Sequence, residues 1–111
     1  MIRSCDTDEA FRTVLADSAR GPVFLMKHST RCSISARAHV EFERFAREID
    51  DKAACWQVLV IEARPLSQAI ATETGVTHQS PQVMLFIDGK VVWNTSHMNI
   101  TRDALERALP K

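Results

Sequence analysis

The sequence predicts an α/β fold in which one four-stranded mixed β-sheet carries helices on both faces. Two apolar segments, 22–27 and 56–61, read as buried strands, and the long amphipathic helix between them requires a parallel crossover. A third strand at 82–87 meets a fourth at 91–94 through Asp88–Gly89, a pair that favours a two-residue antiparallel hairpin. The sheet should therefore contain both parallel and antiparallel pairs.

Helical periodicity and capping residues predict four helices around these strands. The first should begin at Asp6–Glu9, which have capping-box spacing, and the second should run from about Ser33 to Ile49. Pro65 should open a short third helix that ends at Gly75, and Thr101 should cap the last one. The apolar stripe of the second helix consists of Ile34, Ala38, Phe42, Phe45 and Ile49. The order α-β-α-β-α-β-β-α resembles the thioredoxin arrangement.

Length and composition restrict the classes of function. The 111 residues suffice for one domain, residues 1–111. Fourteen basic and fourteen acidic side chains balance, so neither a nucleic acid nor a membrane surface is expected as a partner. The polar N-terminus lacks the apolar region of a signal peptide, which favours a cytoplasmic location. An odd number of cysteines, Cys5, Cys32 and Cys55, favours reduced thiols over a disulfide framework.

Cys32 is the strongest candidate for chemistry. It follows the first strand and a short polar loop, at the start of the second helix, where the partial positive charge favours a thiolate. The alternative is a buried cysteine that acts as a small apolar residue, but Arg31 and Ser33 make its surroundings polar. Ser35 stands where a dithiol enzyme would have its second cysteine. A mixed disulfide on Cys32 would therefore need an external thiol to resolve it.

The predicted topology brings other polar residues to the same end of the sheet. The third strand begins there with Ser80–Pro81, and the fourth strand ends there shortly before His97. We expect Pro81 to be cis and the Ser80 backbone to pair with an extended substrate. The candidate supporting residues are Ser35, Arg31, His28 and His97. Ordinary loop or capping roles are the alternative for each of them.

Other reactive side chains are expected to have no part in the site. His39 should lie on the surface, and Cys55 should be structural. Cys5 should lie in a mobile N-terminal segment, and a distant resolving thiol is the alternative role for it. His78 is a weaker candidate than the other two histidines at this end of the sheet. No cysteine–histidine pair has the spacing of zinc ligands, so neither a metal nor a bound cofactor is expected.

The segment Thr30–Ser35 resembles the Thr-Cys-Pro-Ile-Ser active site of the monothiol bacilliredoxins, YtxJ-like proteins of the bacillithiol system. The segments 80–82, 88–93 and 95–97 resemble that family's later blocks, and the resemblance extends from Val23 to Thr101. It implies a thioredoxin fold and a nucleophile at Cys32. It also places Ile34 and Ser35 at the Ile and Ser positions of the family's motif. It also implies an oxidoreductase that removes bacillithiol, as co-substrate, from S-thiolated client proteins. Ser33 replaces the family's proline, which leaves the identity of the low-molecular-weight thiol open.

Two other functions stay open at this level. A non-catalytic thioredoxin-fold adapter would dock an extended peptide beside Pro81 and would not need Cys32. A carrier of an iron–sulfur cluster, as among monothiol glutaredoxins, is disfavoured because the chain lacks their Gly-Phe between Cys32 and Ser35.

Overall fold

A five-stranded mixed sheet forms the centre of the structure, a computed structural model that describes residues 1–110; Lys111, the last residue of the predicted domain, lies outside that range. The strands are β1 (Ile2–Ser4), β2 (Val23–His28), β3 (Ala54–Leu59), β4 (Gln82–Ile87) and β5 (Lys90–Ser96). The helices are α1 (Asp8–Asp17), α2 (Ser33–Ile49), α3 (Arg64–Thr74) and α4 (Arg102–Ala108), with a short 3₁₀ helix at His97–Asn99. The order across the sheet is β1-β3-β2-β4-β5.

The predicted fold class is confirmed, but the predicted count of four strands is wrong. The additional strand, β1, pairs in parallel with β3, with Ile2 opposite Cys55 and Ser4 opposite Gln57. The segment Ile2–Arg3–Ser4 is too short to show a strand periodicity of its own. It becomes a strand because the edge of β3 offers unpaired backbone groups, a tertiary effect that the local sequence does not contain.

The central pairings follow the predicted topology. β2 pairs in parallel with β3 and antiparallel with β4, which in turn pairs with β5. Asp88 and Gly89 have φ angles of 53° and 77°, the positive values that a type I′ hairpin turn requires, so the predicted hairpin is confirmed. β3 begins and ends two residues before the predicted segment 56–61.

Both faces of the sheet are covered by helices. On one face, α2 and α4 bury Phe24, Met26, Phe42, Phe45, Val83, Leu85 and Leu105. On the other face, α1 and α3 bury Phe11, Val14, Leu25, Ile70, Met84 and Phe86. Ile34, which was predicted to be buried, is 39% exposed, because the face of α2 that meets the sheet passes through Ser35 and Ala38. Ser35, three residues after Cys32, therefore occupies a fully buried position.

Three capping predictions can be compared with the structure. Thr101 caps α4 as expected, because its Oγ1 accepts a hydrogen bond from the N–H of Ala104 at 3.1 Å. Gly75 ends α3 with a left-handed φ of 74°, also as expected. The cap of α1 is Thr7 instead of Asp6, since the Oγ1 of Thr7 accepts from the N–H of Ala10 at 3.0 Å.

Candidate active site

Cys32 is the N-cap residue of α2, at the carboxyl end of β2. Its backbone is extended, with φ −118° and ψ 126°, and its carbonyl accepts the N–H of Ala36 at 2.9 Å. The residue is partly exposed, and its side chain makes no capping hydrogen bond. The thiol is therefore reachable from solvent and stands beside the N–H groups of the first helical turn, which lack intrahelical partners.

Ser35 holds the loop that carries Cys32. It is fully buried, its Oγ accepts a hydrogen bond from the N–H of Ser29 at 2.9 Å, and it lies 2.7 Å from Nδ1 of His28. None of the described hydrogen bonds joins Ser35 to Cys32. The contacts thus assign Ser35 a structural part, since one hydroxyl ties α2 to the end of β2 and to the first residue of the loop.

The imidazole ring of His28 stacks on that of His39, with centroids 4.4 Å apart and an interplanar angle of 19°. His39 Nε2 lies 2.7 Å from Oε1 of Gln57, so in the tautomer assigned from this contact Nε2–H donates to the amide oxygen. The expectation that His39 lies on the surface is wrong, because it is partly buried against His28. The helical spacing of four residues from Ser35 to His39 could have indicated a shared face.

The pKa of His28 is lowered, first by burial and then by the neighbouring His39, against a smaller opposing effect of Glu62. His28 is therefore neutral at physiological pH. It contributes to the site through its hydrogen bond with Ser35 and not as a positive charge that stabilises the thiolate.

Acidification should destabilise the protein through His28. Its pKa in the folded state lies below the ordinary value of an unfolded chain, so below that ordinary value the unfolded state binds more protons. The free energy of unfolding should fall as the pH decreases from 7.5 to 5.5. Urea unfolding at the two pH values should show a smaller decrease for His28→Asn, which keeps a polar atom near the Nδ1 position. An equal decrease in the variant and in the wild type would contradict this origin; His97→Asn is the control at an exposed histidine.

The Ser80–Pro81 peptide bond is cis, as predicted. Pro81 is buried, and its carbonyl accepts the backbone N–H of His97 at 3.0 Å. His97 has a left-handed φ of 55°, which is uncommon for residues other than glycine. The sheet thus brings Pro81 and His97 together at the end that carries Cys32.

Ser80 presents its backbone at this edge. Neither its N–H nor its C=O takes part in the hydrogen bonds found within residues 1–110, and its buried Oγ has no partner there. Buried or half-buried polar groups are normally paired. The open backbone groups of Ser80, at the same end of the sheet as Cys32, are therefore suited to an extended ligand.

Positive charge flanks the start of α2. Arg31 and Arg37 are exposed, and neither forms an ion pair in the part of the chain that the structure describes. Arg37 lines a groove of about 110 Å³ together with Ile34, His97 and Met98. Arg37 was not among the predicted site residues, although its spacing of three residues from Ile34 places both on one side of α2. Glu41 also lines the groove, which therefore combines apolar groups with charges of both signs.

The other two thiols are buried and protonated at neutral pH. Burial is the main cause that raises the pKa of Cys5 to about 11 and that of Cys55 to about 12. The expectation of a mobile segment at Cys5 is wrong, because Cys5 is 1% exposed and its N–H donates to the Gln57 carbonyl at 2.7 Å. Burial of Cys55 agrees with the structural role predicted for it.

Among the described residues no three histidine, cysteine or acidic side chains converge as a metal site, and no helix there is long and apolar enough to cross a membrane. The family model of the monothiol bacilliredoxin BrxC matches residues 3–105. The chain belongs to the monothiol bacilliredoxin family. This confirms the resemblance found between Val23 and Thr101 and extends it to residues 3–105.

Solved structures share the fold of this chain. One, described as a candidate oxidoreductase with a thioredoxin fold, is 34% identical and superposes with a TM-score of 0.87 over 96% of this chain and 92% of that one. Thioredoxin from Malassezia sympodialis is 19% identical with a TM-score of 0.78 over 98% and 88% of the two chains. Fasciola hepatica thioredoxin is 18% identical with a TM-score of 0.76 over 96% and 95%. The two thioredoxins show that this bacilliredoxin-family chain has the thioredoxin fold.

Proposed function

We propose that the chain is a monothiol thiol–disulfide oxidoreductase that removes bacillithiol, or a related low-molecular-weight thiol, from S-thiolated client proteins in the cytoplasm. The observation that carries the proposal is the position of Cys32, a partly exposed thiol at a helix N-terminus with a buried serine three residues later. Both remaining thiols are buried, so Cys32 is the group that can accept a thiol from outside.

The first step is an exchange between Cys32 and the mixed disulfide of the client. The Cys32 thiolate attacks the bacillithiol sulfur, a new S–S bond forms between them, and the client's S–S bond breaks. The client cysteine leaves as a thiolate and takes a proton from water. The client cysteine is then a free thiol, and Cys32 carries the bacillithiol as a mixed disulfide.

The second step regenerates Cys32. Because Ser35 cannot act as a resolving thiol, the thiolate of another bacillithiol molecule attacks the bacillithiol sulfur of the adduct. Cys32 leaves as a thiolate, and bacillithiol disulfide is released. The net exchange converts the client's mixed disulfide and one free bacillithiol thiol into the client thiol and bacillithiol disulfide. No step requires a bound cofactor or a metal.

Two neighbouring features support the binding of these substrates. The open backbone groups of Ser80 suit an extended segment of the client. Arg31, Arg37 and His97 suit the acidic part of the low-molecular-weight thiol, because two of them are arginines without an ion pair within residues 1–110. Cys32 performs the chemistry, and these groups orient the two sulfur atoms that react.

Thiol selectivity tests the proposal. The reduced protein is mixed with one peptide that carries bacillithiol, glutathione or coenzyme A as a mixed disulfide, and its intact mass is followed over time. We expect one rapid adduct per chain, formed at least about tenfold faster with bacillithiol, which corresponds to about 1.4 kcal/mol of recognition. Equal and slow labelling by all three would indicate an ordinary surface thiol and would favour the peptide-binding adapter.

A further inference from the structure

Lys27 is a buried lysine that has no carboxylate partner within residues 1–110. It lies one residue before the end of β2 and is 0% exposed. Its Nζ donates to the carbonyl of Ser67 in α3 at 3.0 Å and lies 2.9 Å from Nδ1 of His78. Burial lowers the pKa of Lys27 to about 8. A buried ammonium without a counter-ion is costly, so its presence next to the proposed site calls for a function.

Gln82 stands beside Lys27 and holds the same loop. The two residues are partners across β2 and β4, so their side chains share one face of the sheet. Gln82 is also buried; its Nε2 donates to the Thr77 carbonyl at 3.0 Å, and its Oε1 accepts the N–H of Gln79 at 3.4 Å. Between them, Lys27 and Gln82 contact three of the four residues that precede Ser80.

This loop, residues 77–80, ends in the residue whose backbone is open. His78 itself is exposed, and Lys27 is the group that anchors its ring to the protein. If that anchor were removed, only the two Gln82 hydrogen bonds and the start of β4 would hold the loop. The orientation of the Ser80 N–H and C=O therefore depends on a side chain that is itself inaccessible to any substrate.

We propose that Lys27 is a positioning residue for client binding: by anchoring His78 it holds the Ser80 backbone in the orientation that pairs with an extended polypeptide segment around the client's modified cysteine. The inference rests on the proposed function and adds to it the residue that positions the client-binding backbone. Because the recognised groups are main-chain N–H and C=O, the clients share an extended segment and not a side-chain motif.

If Lys27 had a purely structural role, its replacement would lower the melting temperature of the protein. The Ser67 carbonyl also lies within α3, where it can accept an intrahelical bond, and the exposed His78 can be hydrated. The titratable groups near the ammonium are His78 and, beyond it, Arg64, and neither supplies a negative charge. Lys27→Met keeps the length of the side chain and removes a desolvated charge, so its melting temperature should equal or exceed that of the wild type.

The kinetic test uses two disulfides of the same low-molecular-weight thiol, a mixed disulfide on an eight-residue peptide and the symmetrical small disulfide. For Lys27→Met we expect KM for the peptide to rise about tenfold, the equivalent of one or two hydrogen bonds, with kcat within about twofold. The rate of Cys32 adduct formation from the small disulfide, which has no peptide backbone to dock, should stay within about twofold.

Variants of His78 and of a remote lysine complete the test. His78→Leu, at an exposed position, should reproduce the rise in KM, and the double variant should be no worse than either single one, because the two residues act as one unit. Lys52→Met, at an exposed loop lysine, should match the wild type. An unchanged peptide KM in Lys27→Met, or a lower melting temperature with equal losses on both disulfides, would overturn the inference alone. A wild type that forms an adduct with neither disulfide would overturn the proposed function as well.

Discussion

Replacement of Cys32 by serine should abolish thiol transfer. The serine hydroxyl is a far weaker nucleophile than a thiolate, and both other thiols are buried and protonated. We expect the rate of client reduction to fall at least about 1,000-fold, to the rate of the uncatalysed exchange, because the residue that forms the intermediate is lost. The measurement is the release of the free client thiol, followed beside the intact mass of the enzyme.

The matched controls are the other two cysteines. Cys5→Ala and Cys55→Ala should keep most of the activity, although each removes a buried sulfur and should lower the free energy of unfolding by roughly 1 kcal/mol. Substantial activity in Cys32→Ser would contradict the mechanism. Loss of activity in a folded Cys5→Ala protein would show instead that a second thiol resolves the adduct.

Conversion of Ser35 to cysteine should change the products of the reaction. A thiol three residues after an N-cap cysteine is within the Cα separation that a disulfide spans, and intramolecular attack carries a very high effective concentration. The adduct of Cys32 with the low-molecular-weight thiol, expected to be stoichiometric in the wild type, should become undetectable in Ser35→Cys. An intramolecular disulfide, lighter by two hydrogen atoms than the reduced protein, should replace it.

Intact mass spectrometry after one equivalent of the mixed disulfide distinguishes the two products. Ser35→Ala is the matched control, because it loses the contacts to Ser29 and His28 without gaining a thiol. That variant should still accumulate the adduct, with a loss of stability of about 1–3 kcal/mol from the unpaired groups. Persistence of the adduct in Ser35→Cys would mean that the buried position keeps the new thiol away from Cys32.

The elements that could be predicted are those whose sequence signal lies within the element itself. The buried runs of β2 and β4, the Asp88–Gly89 turn and the Thr101 cap all depend on neighbouring residues, and each was found in place. β1 could not be predicted, because its pairing depends on an edge of β3 supplied by residues more than fifty positions away.

The site was predictable to a similar extent. The positions of Cys32 and Pro81 follow from the topology of the sheet, as does the proximity of His97 to Pro81. The stacking of His39 on His28 does not follow from the sheet topology, because it depends on the rotation of α2 about its axis relative to the sheet. The burial of Lys27 likewise conflicts with the usual exposure of lysine, and a sequence pattern gives such a residue no reason to be buried.

The hydroxyl of Ser35 occupies the position of a second thiol, and this also determines how Cys32 responds to oxidation by peroxide. A cysteine converted to sulfenic acid is protected when a neighbouring thiol condenses with it, and without that neighbour it proceeds to the irreversible sulfinic acid. Here the capture must come from a diffusing thiol, so the survival of the enzyme depends on the concentration of the small molecule that it uses as co-substrate. Depletion of that thiol pool would then both stop turnover and expose Cys32, the one accessible thiol, to permanent oxidation.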